Sequence, residues 1–254
     1  MRYLITGVRG QLGYDLTREL DKRGETDYLA LDVEDMDITD KKKVNGIITQ
    51  YKPDVIFHCA AWTAVDKAEE KEDLCEKVNV LGTKNITDAS LEVGAKLIYL
   101  STDYVFDGTK DGLYTEEDKV NPKSVYGKTK YLGEEEVRRN KKHFIARISW
   151  VFGINGNNFI KTMLKLSENH NIVNVVDDQI GSPTYTVHLA KILVDMAQTE
   201  KYGTYHVTNE NYCSWAEFAE YIFRSNNKTT EVNKVTTEEY LELTGTKQAY
   251  RPRN

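Results

Sequence analysis

A short apolar run, Tyr3-Leu-Ile-Thr-Gly7, leads straight into Gly7-Val-Arg-Gly-Gln-Leu-Gly13. From Gln11 to about Lys22 the apolar residues Leu12, Leu16 and Leu20 recur at helical spacing. A strand that turns through three glycines into a helix leaves the chain few folds. The glycines let the backbone come close to whatever sits above the turn, and the start of the helix offers unbonded N–H groups there. The alternation then continues. Asp27 to Asp32 reads as a second strand, and Asp37-Ile-Thr-Asp40 leads into a helix with Val44, Ile47, Ile48 and Tyr51 on one face. Asp54 to Ala60 reads as a third strand, Leu74 to Val93 as a long helix, Lys96 to Ser101 as a fourth strand and His143 to Ser149 as a further one. Strands this uniformly apolar, separated by helices, build a parallel sheet covered on both faces.

In such sheets ligands bind at the carboxyl ends of the strands. The G-x-x-G-x-x-G turn is one residue wider in its first gap than the usual dinucleotide fingerprint, and strand-turn-helix is the context that gives it meaning. Asp32 follows Gly7 by 25 positions, near where a dinucleotide domain places the acid that holds the adenosine ribose. A strand-end Asp that caps the next turn would look the same. The small residues of Ala60-Ala-Trp-Thr-Ala-Val-Asp66 permit close approach by a cofactor, or tight packing.

Ser124-Val-Tyr-Gly-Lys-Thr-Lys-Tyr-Leu-Gly-Glu134 carries the chemistry. Ser124 is a helix N-cap, and Glu134/Arg138 and Glu135/Arg139 are favourable i,i+4 pairs. On one helix Tyr126 and Lys130 share a face. An ammonium beside a phenol favours the phenolate and draws its pKa down from about 10. Taken alone, the pair is also what an ordinary amphipathic helix offers. Thr102, 24 positions before Tyr126 at the end of the fourth strand, adds a hydroxyl at the same sheet edge.

The remainder of the chain is less regular. Asn157 to Lys161 opens a helix with Phe159, Met163 and Leu166 inward, Val173 to Asp178 is a strand, and Gln179 to Thr184 a turn. Val187 to Val194 is an apolar helix, Tyr202 to Val207 a short strand, and Ser214 to Glu217 a capping box. The tail runs out at Arg251-Pro-Arg-Asn254 with no closing helix.

With 34 basic against 40 acidic residues the formal charge is −6, and no Lys/Arg block points to nucleic acid. Three unpaired cysteines, Cys59, Cys75 and Cys213, read as reduced thiols in a cytoplasmic chain. No His/Cys spacing indicates a zinc site, no apolar run is long enough to span a membrane, and a strand begins where a signal peptide would lie.

Together the motifs resemble the extended short-chain dehydrogenase/reductases, and within them the dTDP-4-dehydrorhamnose reductase family. The resemblance covers essentially the whole chain. It rests on Leu4 to Gly13, Ala60 to Lys67, Ser101-Thr-Asp-Tyr-Val-Phe-Asp-Gly108, Val125 to Lys130, Gly156-Asn-Asn-Phe159 and Asp178-Gln-Ile-Gly-Ser-Pro-Thr184. The fold class expected is α/β: a Rossmann-type doubly wound parallel sheet with a smaller α/β substrate-binding domain. Residues 1–153 and about 173–200 would form the first unit, and about 154–172 and 201–254 the second. The family usually continues past Arg-Pro-x-Asn, so the C-terminus reads as truncated.

The resemblance implies reduction of the C4 ketone of dTDP-4-dehydro-L-rhamnose, with hydride from NADPH or NADH and a proton from Tyr126. Gly7, Gly10, Gln11 and Leu12 would hold the pyrophosphate, Asp32, Asp37 and Ile38 the adenosine, and Ala60, Ala61 and Thr63 the nicotinamide side. Asp32 disfavours a 2′-phosphate whereas Arg9 can pair with one, so dual cofactor use is expected. Thr102 and Asp103 would touch the sugar, with Thr102 polarising the ketone. Lys130 would bind the nicotinamide ribose, and Trp150 would line the sugar pocket. Lys161 and Arg251 are candidate cations for the substrate diphosphate. Mg2+ and a homodimer enter only through the resemblance. Three other readings stay open: a reductase or epimerase of another nucleotide sugar, a non-catalytic subunit like the regulatory partner of methionine adenosyltransferase, and a redox-sensing nucleotide-binding protein.

Overall fold

The computed structural model describes residues 1–253; Asn254, the last residue of the expected tail, lies outside the described residues. In chain order the elements are β1 (Tyr3–Thr6), α1 (Gln11–Lys22), β2 (Tyr28–Leu31), α2 (Lys41–Tyr51), β3 (Val55–His58), α3 (Val65–Glu70), α4 (Glu72–Glu76), α5 (Thr83–Val93), β4 (Lys96–Thr102), α6 (Val125–Val137) and β5 (His143–Ile148). There follow β6 (Val151–Phe152), α7 (Phe159–Leu166), β7 (Ile172–Val176), β8 (Ile180–Gly181), β9 (Thr184–Tyr185), α8 (Thr186–Ala197), β10 (Gly203–His206), β11 (Cys213–Ser214), α9 (Trp215–Ser225), β12 (Glu231–Val235) and α10 (Thr237–Thr244).

Six parallel strands in the order β10-β5-β4-β3-β1-β2 form the central sheet. Because alternate side chains point to opposite faces, each buried strand feeds two cores. Tyr3 and Ile5 join Phe57, Ile98 and Phe144 beneath α1 and α8, where Leu12, Leu16, Leu20, Leu189 and Leu193 are buried. Leu4, Ile56, Leu97, Tyr99 and Ile145 face Val44 and Ile48 of α2, Ile86 of α5 and Val137 of α6. Each such leucine contributes about 1.5–3 kcal/mol by leaving water. A third core, around Met163, Val173, Phe218, Ile222 and Phe223, belongs to a smaller unit built on α7, α9 and the β7–β12 pair. The two-stranded pairs β8–β11 and β6–β9 complete it.

Several sequence expectations shift. The long helix expected from about Leu74 breaks into α4, a π-helical turn over Lys77–Gly82, and α5. The wider turn aims Asn79 inward, where its amide accepts from Trp62 N–H (2.8 Å) and donates to the Trp62 carbonyl (3.2 Å) and Thr129 (3.1 Å). The stretch expected as a turn, Gln179 to Thr184, contains β8 and the start of β9. Of the two i,i+4 pairs expected on α6, Glu134–Arg138 forms at 2.9 Å, but Glu135 is taken by Arg138 and Arg139 turns to Glu136 and Asp88. Residues 173–200 are expected in the first unit and 201–254 in the second; β7 instead pairs with β12 in the third core, and β10 pairs with β5 as the sixth strand of the main sheet. The elements α3, β6, β12 and α10 have no counterpart among the sequence expectations, although Thr236 and Glu239 form a capping box at the start of α10.

The first turn is tight. Gly7 has φ +69°, and a Cβ on Gly13 would lie 2.3 Å from the Gly7 carbonyl oxygen. Gly13→Ala therefore forces α1 away from β1, and the expected loss is about 1–3 kcal/mol. A urea midpoint within experimental scatter of the parent would show that the helix can retreat freely.

Candidate active site

The sheet reverses its winding between β1 and β3, which run side by side while β2 lies beyond β1. Such a switch point opens a crevice at the carboxyl ends. The glycine turn fills that position. Gly10 ends its approach with its N–H on the Gly7 carbonyl (3.1 Å), and no side chain caps α1. Tyr14 N–H bonds the Gly10 carbonyl, so the N–H groups ahead of it at Gln11, Leu12 and Gly13 face the crevice as an anion site. A Cβ on Gly7 would sit 2.9 Å from Ala60 N, which seats the residue after β3 directly against the turn. Backbone this bare, with a helix start aimed at it, fits a dinucleotide pyrophosphate.

Asp32 ends β2 and reaches back to the turn. Its carboxylate accepts from Arg9 N–H at 2.9 Å and lies 3.4 Å from the Arg9 guanidinium, which also pairs with Glu34. Asp37 accepts from Thr39 N–H (2.9 Å), a bond that holds its carboxyl below the usual range. Ile38, expected beside the adenosine, has its side chain buried against Gly82 in the core under α5. Ala60 and Ala61 are half-buried and Thr63 is exposed. Ala60 N–H donates to Thr6 Oγ1 (3.1 Å), and Thr6 also contacts His58 Nδ1 (2.9 Å), whose Nε2 reaches Thr83 (3.1 Å). No sequence spacing flagged His58, yet it ties the glycine-turn strand to α5.

Ser124 caps α6 through Gly127 N–H at 3.1 Å, and this fixes where the helix begins. Tyr126 is half-buried and Lys130 is buried one turn later on the same face. The Lys130 ammonium lies 4.0 Å over the Tyr99 ring, and burial pulls it down to about 7, against which the Glu134 carboxylate acts. The expected lowering of the Tyr126 phenol does not occur. Burial pushes it up, the nearby Thr102 hydroxyl acts in the other direction, and the Asp103 carboxylate adds to the rise. Tyr126 therefore stays protonated at neutral pH. Thr102 Oγ1 donates to Asp103 (2.8 Å) and accepts from Tyr104 N–H (3.2 Å). Its proton is thus committed, and it must turn from Asp103 to donate elsewhere. Burial lifts Asp103 to about 6. Tyr104 packs edge-on against Tyr126 at 5.4 Å.

Trp150 lies just past the end of β5 and packs towards the smaller core. Its indole stacks on Trp215 at 3.5 Å, and a Cβ on Gly181 would strike it, so the glycine of the Asp178–Thr184 motif is what lets the ring lie flat in the smaller core. Lys161 donates to the Ile154 and Gly156 carbonyls at 2.6 Å each, which spends its ammonium on its own loop. Arg251 chelates Asp66 with two contacts of 2.9 Å and lies 5.9 Å from the Tyr104 ring. Among the described residues, no three His, Cys, Asp or Glu side chains gather as a metal site requires, and no helix is long and apolar enough to cross a membrane.

The family model described as "RmlD substrate binding domain" matches residues 1–254. A dTDP-4-dehydrorhamnose reductase from Aggregatibacter actinomycetemcomitans is 44% identical across 100% of this chain and 89% of its own length. The chain belongs to the dTDP-4-dehydrorhamnose reductase family. Among solved structures, the reductase of this family from Clostridium acetobutylicum superposes with a TM-score of 0.95 at 44% identity, covering 100% of this chain and 88% of that one. The Bacillus anthracis member, solved in complex with NADP, gives 0.91 at 41% identity over 99% and 95% of the two chains. The family's parallel-sheet fold is thus common to this chain and its solved relatives.

His58 is held neutral in the fold, its pKa lowered by burial to about 3 from 6.5, whereas the unfolded chain protonates it near 6.5. As pH falls from 6.5 towards 3 the unfolded state takes up the proton first, so His58 removes up to about 5 kcal/mol of stability over that window. Urea unfolding at stepped pH should show a shallower acid loss for His58→Asn than for the parent. Equal slopes would mean the imidazole is already charged in the fold.

Proposed function

We propose that this protein reduces the C4 ketone of dTDP-4-dehydro-β-L-rhamnose to give dTDP-L-rhamnose, using NADPH or NADH. The observation that carries the reading is the meeting of Tyr126, Thr102 and Lys130 at the carboxyl end of β4, one strand from the crevice at the glycine turn. Its relatives' shared activity supplies the substrate. When bound, the nicotinamide supplies the hydride.

The chain's own residues do the rest. Tyr126, kept protonated by burial, gives its proton to the C4 oxygen as charge develops there. A positioned acid of this kind contributes about two to four orders of magnitude in rate. Thr102, released from Asp103, donates a second hydrogen bond to the same oxygen; a donor waiting at a developing oxyanion is worth about 2.7–4 kcal/mol. Lys130 would hold the nicotinamide ribose. Gly7, Gly10, Gln11 and Leu12 cradle the pyrophosphate with backbone alone. Asp103, which Thr102 then leaves, would contact the sugar, and Trp150 would form a wall of the sugar pocket from the smaller unit.

Arg9 governs the choice of cofactor. A 2′-phosphate must win its guanidinium from Asp32 and Glu34, while a free ribose hydroxyl can bond Asp32 directly. Both cofactors are therefore accepted.

Oxidation of NADPH by the purified protein with dTDP-4-dehydro-L-rhamnose tests the activity. Tyr126→Phe is expected to lower kcat at least about a hundredfold. Folded, cofactor-binding protein without turnover would shift the reading to a binding subunit or to another keto sugar. Glu34→Gln frees Arg9 and should move the ratio of kcat/KM towards NADPH by about two- to fivefold, the range for an exposed pair. An unchanged ratio would remove Arg9 from phosphate recognition.

A further inference from the structure

Glu134 lies on α6 one turn beyond Lys130 and two beyond Tyr126, so the three side chains share a helix face. It is fully buried, and nothing in the chemistry above calls on it. Both of its oxygens are engaged. Oε1 accepts from Ser101 Oγ at 2.6 Å and Arg147 Nε at 2.9 Å; Oε2 accepts from Arg147 Nη2 at 2.8 Å and Arg138 Nη2 at 2.9 Å. Ser101 and Arg147 are register partners on β4 and β5, and Ser101 immediately precedes Thr102. Arg147 is 4% exposed, with its guanidinium 5.1 Å from the Phe106 ring.

One carboxylate therefore joins the helix bearing the phenol and ammonium to the two strands beside the hydroxyl. A buried ion pair contributes little net stability compared with apolar packing of the same volume, and its best-attested use is to fix register. We propose that Glu134 is a positioning residue of the site: by clamping α6 to Ser101 and Arg147, it holds Tyr126 and Lys130 in line with the Thr102 hydroxyl. The proposal rests on the roles assigned to Tyr126 and Thr102 above. Glu134 also acts on Lys130 directly. The groups facing that ammonium are His58 at the end of β3, Cys59 just after it, Cys75 on α4 and Tyr99 on β4, all held neutral by burial, which leaves Glu134 as the charged carboxylate favouring the ammonium form.

The test measures kcat and KM for NADPH and dTDP-4-dehydro-L-rhamnose in Glu134→Gln and Ser101→Ala. Each is made alone and combined with Tyr126→Phe, in protein checked by circular dichroism. Loss of alignment without loss of binding lowers kcat, and a misplacement of about 1 Å costs about a hundredfold. Glu134→Gln is expected to reduce kcat about ten- to a hundredfold with both KM values within about twofold, and to add no further loss in the Tyr126→Phe background. Ser101→Ala, which removes one of the four bonds, should show the same pattern at several-fold size. A folded Glu134→Gln with parental kcat would overturn the proposal, as would losses that multiply with Tyr126→Phe. Where Glu134→Gln does not fold, Ser101→Ala decides by the same two criteria. Full turnover by Tyr126→Phe alone would instead defeat the reading of the site beneath the proposal.

Discussion

The close approach of three backbones at one corner of the sheet governs the molecule. Gly7 leaves β1 in the left-handed region, Gly13 brings α1 down onto the Gly7 carbonyl, and Ala60 leaves β3 against the same glycine. Side chains are excluded at Gly7 and Gly13 by distance, so peptide groups face a charged ligand there without paying a rotamer's entropy. Thr6 and His58 brace the corner from below through buried hydrogen bonds. Disturbing any one of the three backbones moves the other two.

The second feature of the site is how few of its buried groups carry charge. His58 is neutral, the Cys59 thiol is pushed up to about 12, and Tyr126 keeps its proton. Beyond Asp103 and Lys130, charge gathers in a network around Glu134, in which each carboxylate oxygen accepts two hydrogen bonds. In surroundings this poor in water, a proton moved by one group is felt strongly by the next. The expectation that Lys130 would depress the Tyr126 phenol treated the pair as if in water. Burial outweighs it, and the same burial weakens the ammonium that was to do the depressing.

Much of the sheet was legible because its strands are continuous apolar runs and its helices repeat every three or four residues. Thus α1 falls at Gln11–Lys22, and the Ser124 and Ser214 caps form as read. That Tyr126 and Lys130 share a face of one helix, and that Thr102 ends the fourth strand, was legible from spacing and element order. What was hidden depends on partners distant in sequence. The π turn exists for Asn79 to reach Trp62 and Thr129, and Lys161 is spent on carbonyls of its own loop, which charge alone cannot reveal. Glu134 looked like one half of a surface ion pair, because Ser101 and Arg147 are far away in the chain. The β12 strand is too mixed in polarity to register, whereas the Thr236–Glu239 capping signal for α10 was present in the sequence.

The placement of α8 and β10 has a consequence for the order in which the chain can mature. Leu12, Leu16 and Leu20 pack beneath α8, which starts at residue 186, and the last strand of the sheet arrives only at Gly203. Until then a chain growing from its N-terminus carries an uncovered leucine face and an open edge at β5, both adhesive to other chains. The segments between, α7 and β7, belong to the smaller core, whose own partners α9 and β12 come later still. Neither core closes before the other has begun. Such interlacing favours one late, cooperative closure over stepwise folding of two independent units, and it makes the interval between residues 150 and 206 the stretch of synthesis in which the chain most needs protection.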